Sequence, residues 1–203
     1  MARLPLEVRE ARPSDARGLI DLWSACVADG ASLTDATQVV AEWDEPSEDE
    51  ATEALGRLDD SSSRRLCVAV FGDRVVGAIQ VDLSAATPLH LRTVVVVSEL
   101  HVHPRYRRKG IAWSLMNVAV DWAEQVDSSL VYAWAPSASR DAHRFLTRIG
   151  FGHYATVRAA KVRVLRARAA GRTAASRGTG RLIAVRRSLR RTHDALARAG
   201  LRD

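Results

Sequence analysis

Residues 93–126 constrain the fold more than any other stretch. Thr93-Val-Val-Val-Val97 is a β-branched run of the kind that packs on a pleated surface, so it reads as a strand. Pro104 ends that strand because proline cannot donate to a ladder. After Gly110 the apolar period changes. Ile111, Leu115, Ala119, Trp122 and Val126 step by three and four, which predicts one buried face of a helix. A basic, glycine-containing turn therefore joins a buried strand to an amphipathic helix. At a helix start the first amides lack intrahelical acceptors, and the dipole places partial positive charge there. Arg107, Arg108 and Lys109 add full charges, and Gly110 lets a ligand approach the backbone. The combination suits a phosphate.

Arg107-Arg108-Lys109-Gly110-Ile111-Ala112 also matches a known pattern, Arg/Gln-x-x-Gly-x-Gly/Ala. Leu100-x-Val102-x-Pro104 precedes it on the strand, and Ala142-x-x-Phe145 with Gly150-Phe151 follows downstream. Glu7 to Ala11 and the Pro13-Ser14-Asp15 turn supply an opening strand and helix start. Together these stretches resemble the GNAT family of acyl-CoA-dependent N-acetyltransferases. From the turn alone, a Rossmann-like phosphate loop or a basic helix cap would be the alternatives.

The resemblance implies an α/β (α+β) fold: a mixed, mostly antiparallel sheet of about seven strands, with helices on both faces. A V-shaped opening separates the two central parallel strands in that family. It further implies acetyl-CoA as co-substrate, with the acetyl group passed directly to a primary amine of a small molecule or protein. Leu100, His101 and Val102 would then border the pantetheine arm. Arg107, Arg108, Lys109, Gly110, Ile111 and Ala112 would hold the pyrophosphate.

Taken in order, further helices are expected over Ala16 to Val27, Thr34 to Trp43 and Ser47 to Leu58, the last with a Ser47/Glu50 capping box. Leu66 to Phe71 and Val75 to Leu83 are strands around the Gly72-Asp73 hairpin signal. Ser129 to Ala135 follows the crossover helix and should run parallel to the central strand. A helix starting at Ser137 or Ser139 should end at Gly150. Tyr154 to Leu165 and Arg181 to Leu189 read as a terminal hairpin around a basic loop at 167–180. The competing reading is a long Ala/Arg helix over 158–170.

The chain has 203 residues, enough for one domain, expected over 1–191 with a short tail or helix at 192–203. No apolar run approaches membrane-spanning length, and the first residues lack the apolar core of a secretory leader. Cys26 and Cys67 lack metal-ligand spacing and read as free thiols in a reducing cytoplasm. Residues 1–103 hold nine Arg against eighteen acids, a balance of −9; residues 104–203 hold twenty-one Lys or Arg against six acids, a balance of +15. Such a split fits a nucleic-acid- or ribosome-binding module, or one groove whose ends take opposite charges; the groove is favoured because part of the basic half is already assigned to the cofactor phosphates. A non-catalytic acyl-CoA sensor is the further alternative to an enzyme. The Arg-rich segments lack interleaved aromatics, which disfavours nucleic acid. The acids at 42–53 are either a solvated face or a mouth that draws in a cationic amine.

Attack by a neutral amine on a thioester needs a proton acceptor, carbonyl polarisation and a route for the leaving thiolate. Glu99 is the carboxylate of the central strand and reads either as an exposed, paired side chain or as a general base through water. His101 and His103 share a strand face, with no further ligands at metal spacing, so no metal site is expected. Asp82 could reach the acceptor site, with surface exposure the simpler reading, and Trp113 could border the cofactor or a homodimer contact, with half-buried packing the simpler reading. The resemblance places a tyrosine acid where this chain has Leu146. Tyr154 and Ser139 are the candidate substitutes.

Overall fold

The computed structural model describes residues 6–31, 44–59, 61–137, 139–156, 158 and 160–170. They fall in two compact units, Met1–Tyr154 and Ala155–Asp203. The first contains strands β1 (Leu6–Glu10), β2 (Arg64–Phe71), β3 (Arg74–Ala85), β4 (Thr93–Val102) and β5 (Val131–Ala133). Its helices are α1 (Ala16–Ala31), α2 (Glu48–Asp59), α3 (Ile111–Gln125) and α4 (Arg140–Arg148). The strands lie in sequence order in one sheet, β1-β2-β3-β4-β5. Every neighbouring pair is antiparallel except β4 and β5, which are parallel. A parallel pair needs a crossover, and α3 supplies it.

Helices cover both faces. On one, Ile111, Leu115, Ala119 and Trp122 of α3 meet Ile79, Val81, Val95 and Val97 of the sheet, and Leu146 of α4 joins them. The three-and-four spacing placed these α3 side chains on one stripe, as expected. On the other face, Leu19 and Leu22 of α1 and Leu55 of α2 pack on Val68, Val70 and Ala78. Close approach fixes α3 against the sheet. A Cβ on Gly77 would lie 3.0 Å from Leu115 Cδ1 and 3.1 Å from the His101 carbonyl oxygen. Asp15 ties β1 to the start of α1. It accepts both guanidinium arms of Arg9, at 2.7 and 2.8 Å, and the Arg12 amide at 2.7 Å.

The described residues contain five strands, not seven. The expected first arm of a terminal hairpin is overturned, because residues 162–170 form a helix. This stretch alternates only loosely, and its Ala and Arg content favours helix over ladder. The helix takes in the start of the expected loop at 167–180. The rest of that loop, the strand at Arg181 to Leu189, the tail at 192–203 and the helix at Thr34 to Trp43 lie outside the described residues. Among the described residues no helix is long and apolar enough to cross a membrane. Both cysteines are free.

Candidate active site

The site begins with a change of register. Gln80 pairs with Glu99 but Val81 pairs with Val97, so β4 carries one extra residue, Ser98. A bulge of this kind reverses which residues face which side. Before it, the Val95 amide donates to Leu130 and the Val97 carbonyl accepts from Trp134, so odd-numbered backbone groups face β5. After it, the His103 amide donates to the Val76 carbonyl on β3. By alternation, the backbone of Leu100 and Val102 therefore faces the β5 side. Yet β5 pairs only with Val95, Val96 and Val97 and then leaves. The two parallel strands separate at this point and form the expected V-shaped opening.

The side chains obey the same switch. Leu100 and Val102 join the core under α3, while Glu99 and His101 turn toward α1. There the His101 ring packs on Trp23 with centroids 4.3 Å apart, and its Nε2 donates to Glu99 Oε2 at 2.6 Å. Burial works against the imidazolium, but bonding to Cys26 and Glu99 outweighs it and pushes the His101 pKa up to about 9. His101 is thus charged at neutral pH and paired with Glu99. Glu99 is half-exposed, and its Oε1 accepts from no group among the described residues.

A second polar group lies beside the first. Asp82 accepts from Ser98 Oγ at 2.6 Å, Arg64 Nε at 2.6 Å and Gln80 Nε2 at 3.2 Å. It was expected at the surface, yet its side chain is only 20% exposed. The alternation of Gln80 and Asp82 within an otherwise apolar strand was the available signal. Trp23 and Cys26 also escaped sequence reasoning: helical spacing puts Trp23 on a buried stripe, and Cys26 reads as a free thiol. The Cys26 thiol donates to the Val102 carbonyl at 3.7 Å.

At the end of β4 a short 3-10 turn, Pro104–Tyr106, leads to the basic turn. Arg108 has φ +61° and Gly110 φ +83°, both left-handed. Such turns curl successive N–H groups toward one side and create an anion-binding concavity. The first amides to bond back are those of Trp113 and Ser114, both to the Gly110 carbonyl at 3.0 Å. The amides of Arg108 to Ala112 donate to no carbonyl among the described residues. A Cβ on Gly110 would meet open space, so a ligand can reach the backbone there. Lys109 Nζ sits 5.0 Å from the Tyr106 ring centroid. Arg107 takes another role. It pairs with Asp29 of α1 at 2.6 Å, and its Nε donates to the Val102 carbonyl at 3.3 Å.

The remaining candidates are scattered. Ser139 caps α4, its Oγ accepting from the Ala142 amide at 3.3 Å. Leu146 is buried in the core beneath α3 and α4. Tyr154 is exposed and packs at a tilt against Tyr132, with centroids 5.0 Å apart. Hydrogen bonding to Tyr154 raises the Tyr132 pKa. His103 accepts from the Arg105 amide at 3.2 Å. No cluster of metal-ligating side chains occurs among the described residues.

Comparison with known proteins agrees with this geometry. An uncharacterized N-acetyltransferase of Methanocaldococcus jannaschii is 29% identical over 76 residues. That match covers 37% of this chain and 34% of the relative, so about a third of the relative's length is spanned. A transcriptional regulator from Bacillus halodurans superposes with a TM-score of 0.64 at 19% identity, over 77% of this chain and 99% of that one. An aminoglycoside acetyltransferase from an uncultured soil metagenomic sample, in complex with sisomicin, gives a TM-score of 0.59 at 15% identity, over 77% and 95%. These likenesses establish the fold. The family model for the acetyltransferase (GNAT) family matches residues 32–151, more than half the chain. The chain belongs to the GNAT acetyltransferase family.

Proposed function

We propose that the protein transfers an acetyl group from acetyl-CoA to a primary amine by direct attack in a ternary complex. One observation carries the reading. The edge of β4 that β5 leaves past the bulge runs straight into the amides of Arg108 to Ala112, which donate to no carbonyl among the described residues. A strand-like amide arm joined to a pyrophosphate satisfies both sets of groups at once. Leu100 would bond the arm through its backbone and Val102 through its amide, since the Val102 carbonyl already accepts from Cys26 and Arg107, with His101 between them. Arg108, Lys109, Gly110, Ile111 and Ala112 would receive the pyrophosphate. Arg107 shares the Val102 carbonyl with Cys26, so it borders the arm and does not meet the phosphates.

The chemistry then falls to the α1 face. The amine nitrogen attacks the thioester carbon, a C–N bond forms, the C–S bond breaks and CoA leaves as thiolate. The acceptor's ammonium first passes one proton through water to Glu99, whose Oε1 accepts from no group among the described residues while His101 holds Oε2, and the proton shed from nitrogen after attack passes through water to the departed thiolate. Positive charge on His101 keeps that carboxylate oriented. No acid occupies the position of Leu146. A thiol of pKa about 8.5 departs tolerably without one, and Ser139 or Tyr154 is the available donor. Ser139 uses only its oxygen as a cap, so its hydroxyl hydrogen remains available.

The acceptor is cationic before it loses its proton. Glu48, Asp49 and Glu50 crowd the first turn of α2, which packs beside α1 on this face. Similar folds act on unlike acceptors, so the amine itself is a matter for experiment.

The test is a screen of amines monitored by thiol release, with acetyl-CoA binding measured by thermal shift. Acetyl-CoA should raise the melting temperature, and cationic amines should lead the hits, with KM rising with salt. Gly110→Val should abolish binding while the protein stays folded, because a β-branched residue resists φ +83° and fills the approach. Unchanged affinity in that variant would overturn the reading. Binding without acetylation of any amine would instead favour a non-catalytic acyl-CoA sensor.

A further inference from the structure

A strand that contains four consecutive valines has little in its own side chains to fix where an extra residue sits. Slipping the bulge by one position would exchange the residues whose backbone faces the opening. Something must therefore hold Ser98 in place, and the neighbouring strand does so. The Ser98 hydroxyl donates to Asp82 Oδ2 at 2.6 Å, a short, charge-assisted bond. Arg64, reaching across from β2, donates to the other carboxylate oxygen at 2.6 Å. Gln80 donates to the same carboxylate at 3.2 Å. The lock thus spans three strands. Burial opposes the charge on Asp82, yet these bonds outweigh it and keep its pKa low.

We propose that Asp82 is a positioning residue for acyl-CoA: acting through Ser98, it fixes the bulge that turns the Leu100 and Val102 backbone into the opening. The proposal rests on the acetyl-CoA reading above. Asp82 is already engaged by Ser98, Arg64 and Gln80, so it would act on the donor through Ser98 and not by contact. Its influence should therefore fall on the pantetheine arm and spare the phosphate end.

That split supplies the test. Calorimetric titration compares acetyl-CoA with phospho-ADP, the nucleotide half of CoA, which rests on the Arg108 to Ala112 amides alone. Ser98→Ala should weaken acetyl-CoA binding roughly tenfold and leave phospho-ADP nearly unchanged. Asp82→Asn keeps an oxygen for Ser98 but loses the charge, so it should weaken acetyl-CoA by only about threefold. The double variant should bind no more weakly than Ser98→Ala, because both act through one bond. Equal losses for the two ligands would reveal general loosening and overturn the proposal. An unchanged ratio in both single variants would overturn it too, leaving the acetyl-CoA reading intact. If the wild-type protein bound neither ligand, that reading would fall and the proposal with it.

Discussion

Toward α3, strands β3 and β4 present Ile79, Val81, Val95 and Val97, none more than 1% exposed. Toward α1, past the bulge, the same two strands present Gln80, Asp82, Glu99 and His101, joined by Ser98. One ladder therefore has a dry face and a polar face, only a side-chain length apart. The dry face gains from the area it removes from water. On the polar face each charge has a partner, since an unpaired buried charge would be costly. No buried side-chain polar atom lacks a hydrogen-bond partner among the described residues. The difference teaches a division of labour. Apolar packing holds the opening's frame rigid, and the polar side can then keep one carboxylate oxygen of Glu99 free for chemistry.

The largest expected effect would separate the two faces by activity. Glu99→Gln removes the base but little burial, since its side chain is 48% exposed. Steady-state kcat with a good amine should fall by roughly 10²–10⁴-fold, while the melting temperature drops only by what the pair with His101 contributes. A wild-type rate would remove Glu99 from the mechanism.

The opposite perturbation lies under α3. Leu115 is fully buried against Gly77 and the sheet. Leu115→Ala should cost about 2–5 kcal/mol in denaturant unfolding, because the cavity relaxes only partly. At temperatures where the variant stays folded, its pH–rate profile should match the wild type. A changed profile would show that the faces are coupled more tightly than their packing suggests.

How legible each face was follows from the kind of signal it leaves. Ile111, Leu115, Ala119 and Trp122 repeat with the helix, so the dry face could be read directly. The turn from Arg107 to Ala112 announced itself through charge and glycine. The polar face left a fainter trace: its residues stand out in the strands, but which of them meet does not. Asp82 and Ser98 are 16 residues apart and meet only through a cross-strand register. Cys26 and Val102 are 76 apart. A single inserted residue decides where Glu99 points, and no periodicity reveals an insertion. Charge is visible in a sequence and direction is not: Arg107 pairs with Asp29, 78 residues away. At 162–170 the Ala/Arg helix propensity prevails over the terminal strand that the family resemblance implies.

The smallest effect concerns the charge pair of the polar face, and its sign can be worked out. His101 has its ordinary pKa of 6.5 raised to about 9 in the folded chain. Burial favours the neutral ring, so the rise reflects what faces it: Glu99 from its own strand and Cys26 from α1, beside the neutral ring of Trp23. A folded pKa above the unfolded one means that the folded state binds the proton more tightly. The stabilisation is therefore complete below the unfolded value of 6.5 and is lost as pH rises through about 9. His101→Gln keeps a donor for Glu99 but cannot titrate. Compared by denaturant unfolding across pH, the wild type should be the more stable protein at acid and neutral pH. That advantage should shrink on the alkaline side. Half-exposure of Glu99 screens the pair, so the advantage should be on the order of 1–2 kcal/mol. If the two stability curves ran parallel from pH about 6 to about 10, the imidazolium would not be held by this pair. The polar face would then orient Glu99 by packing on Trp23 alone, and the contrast between the two faces would narrow to geometry.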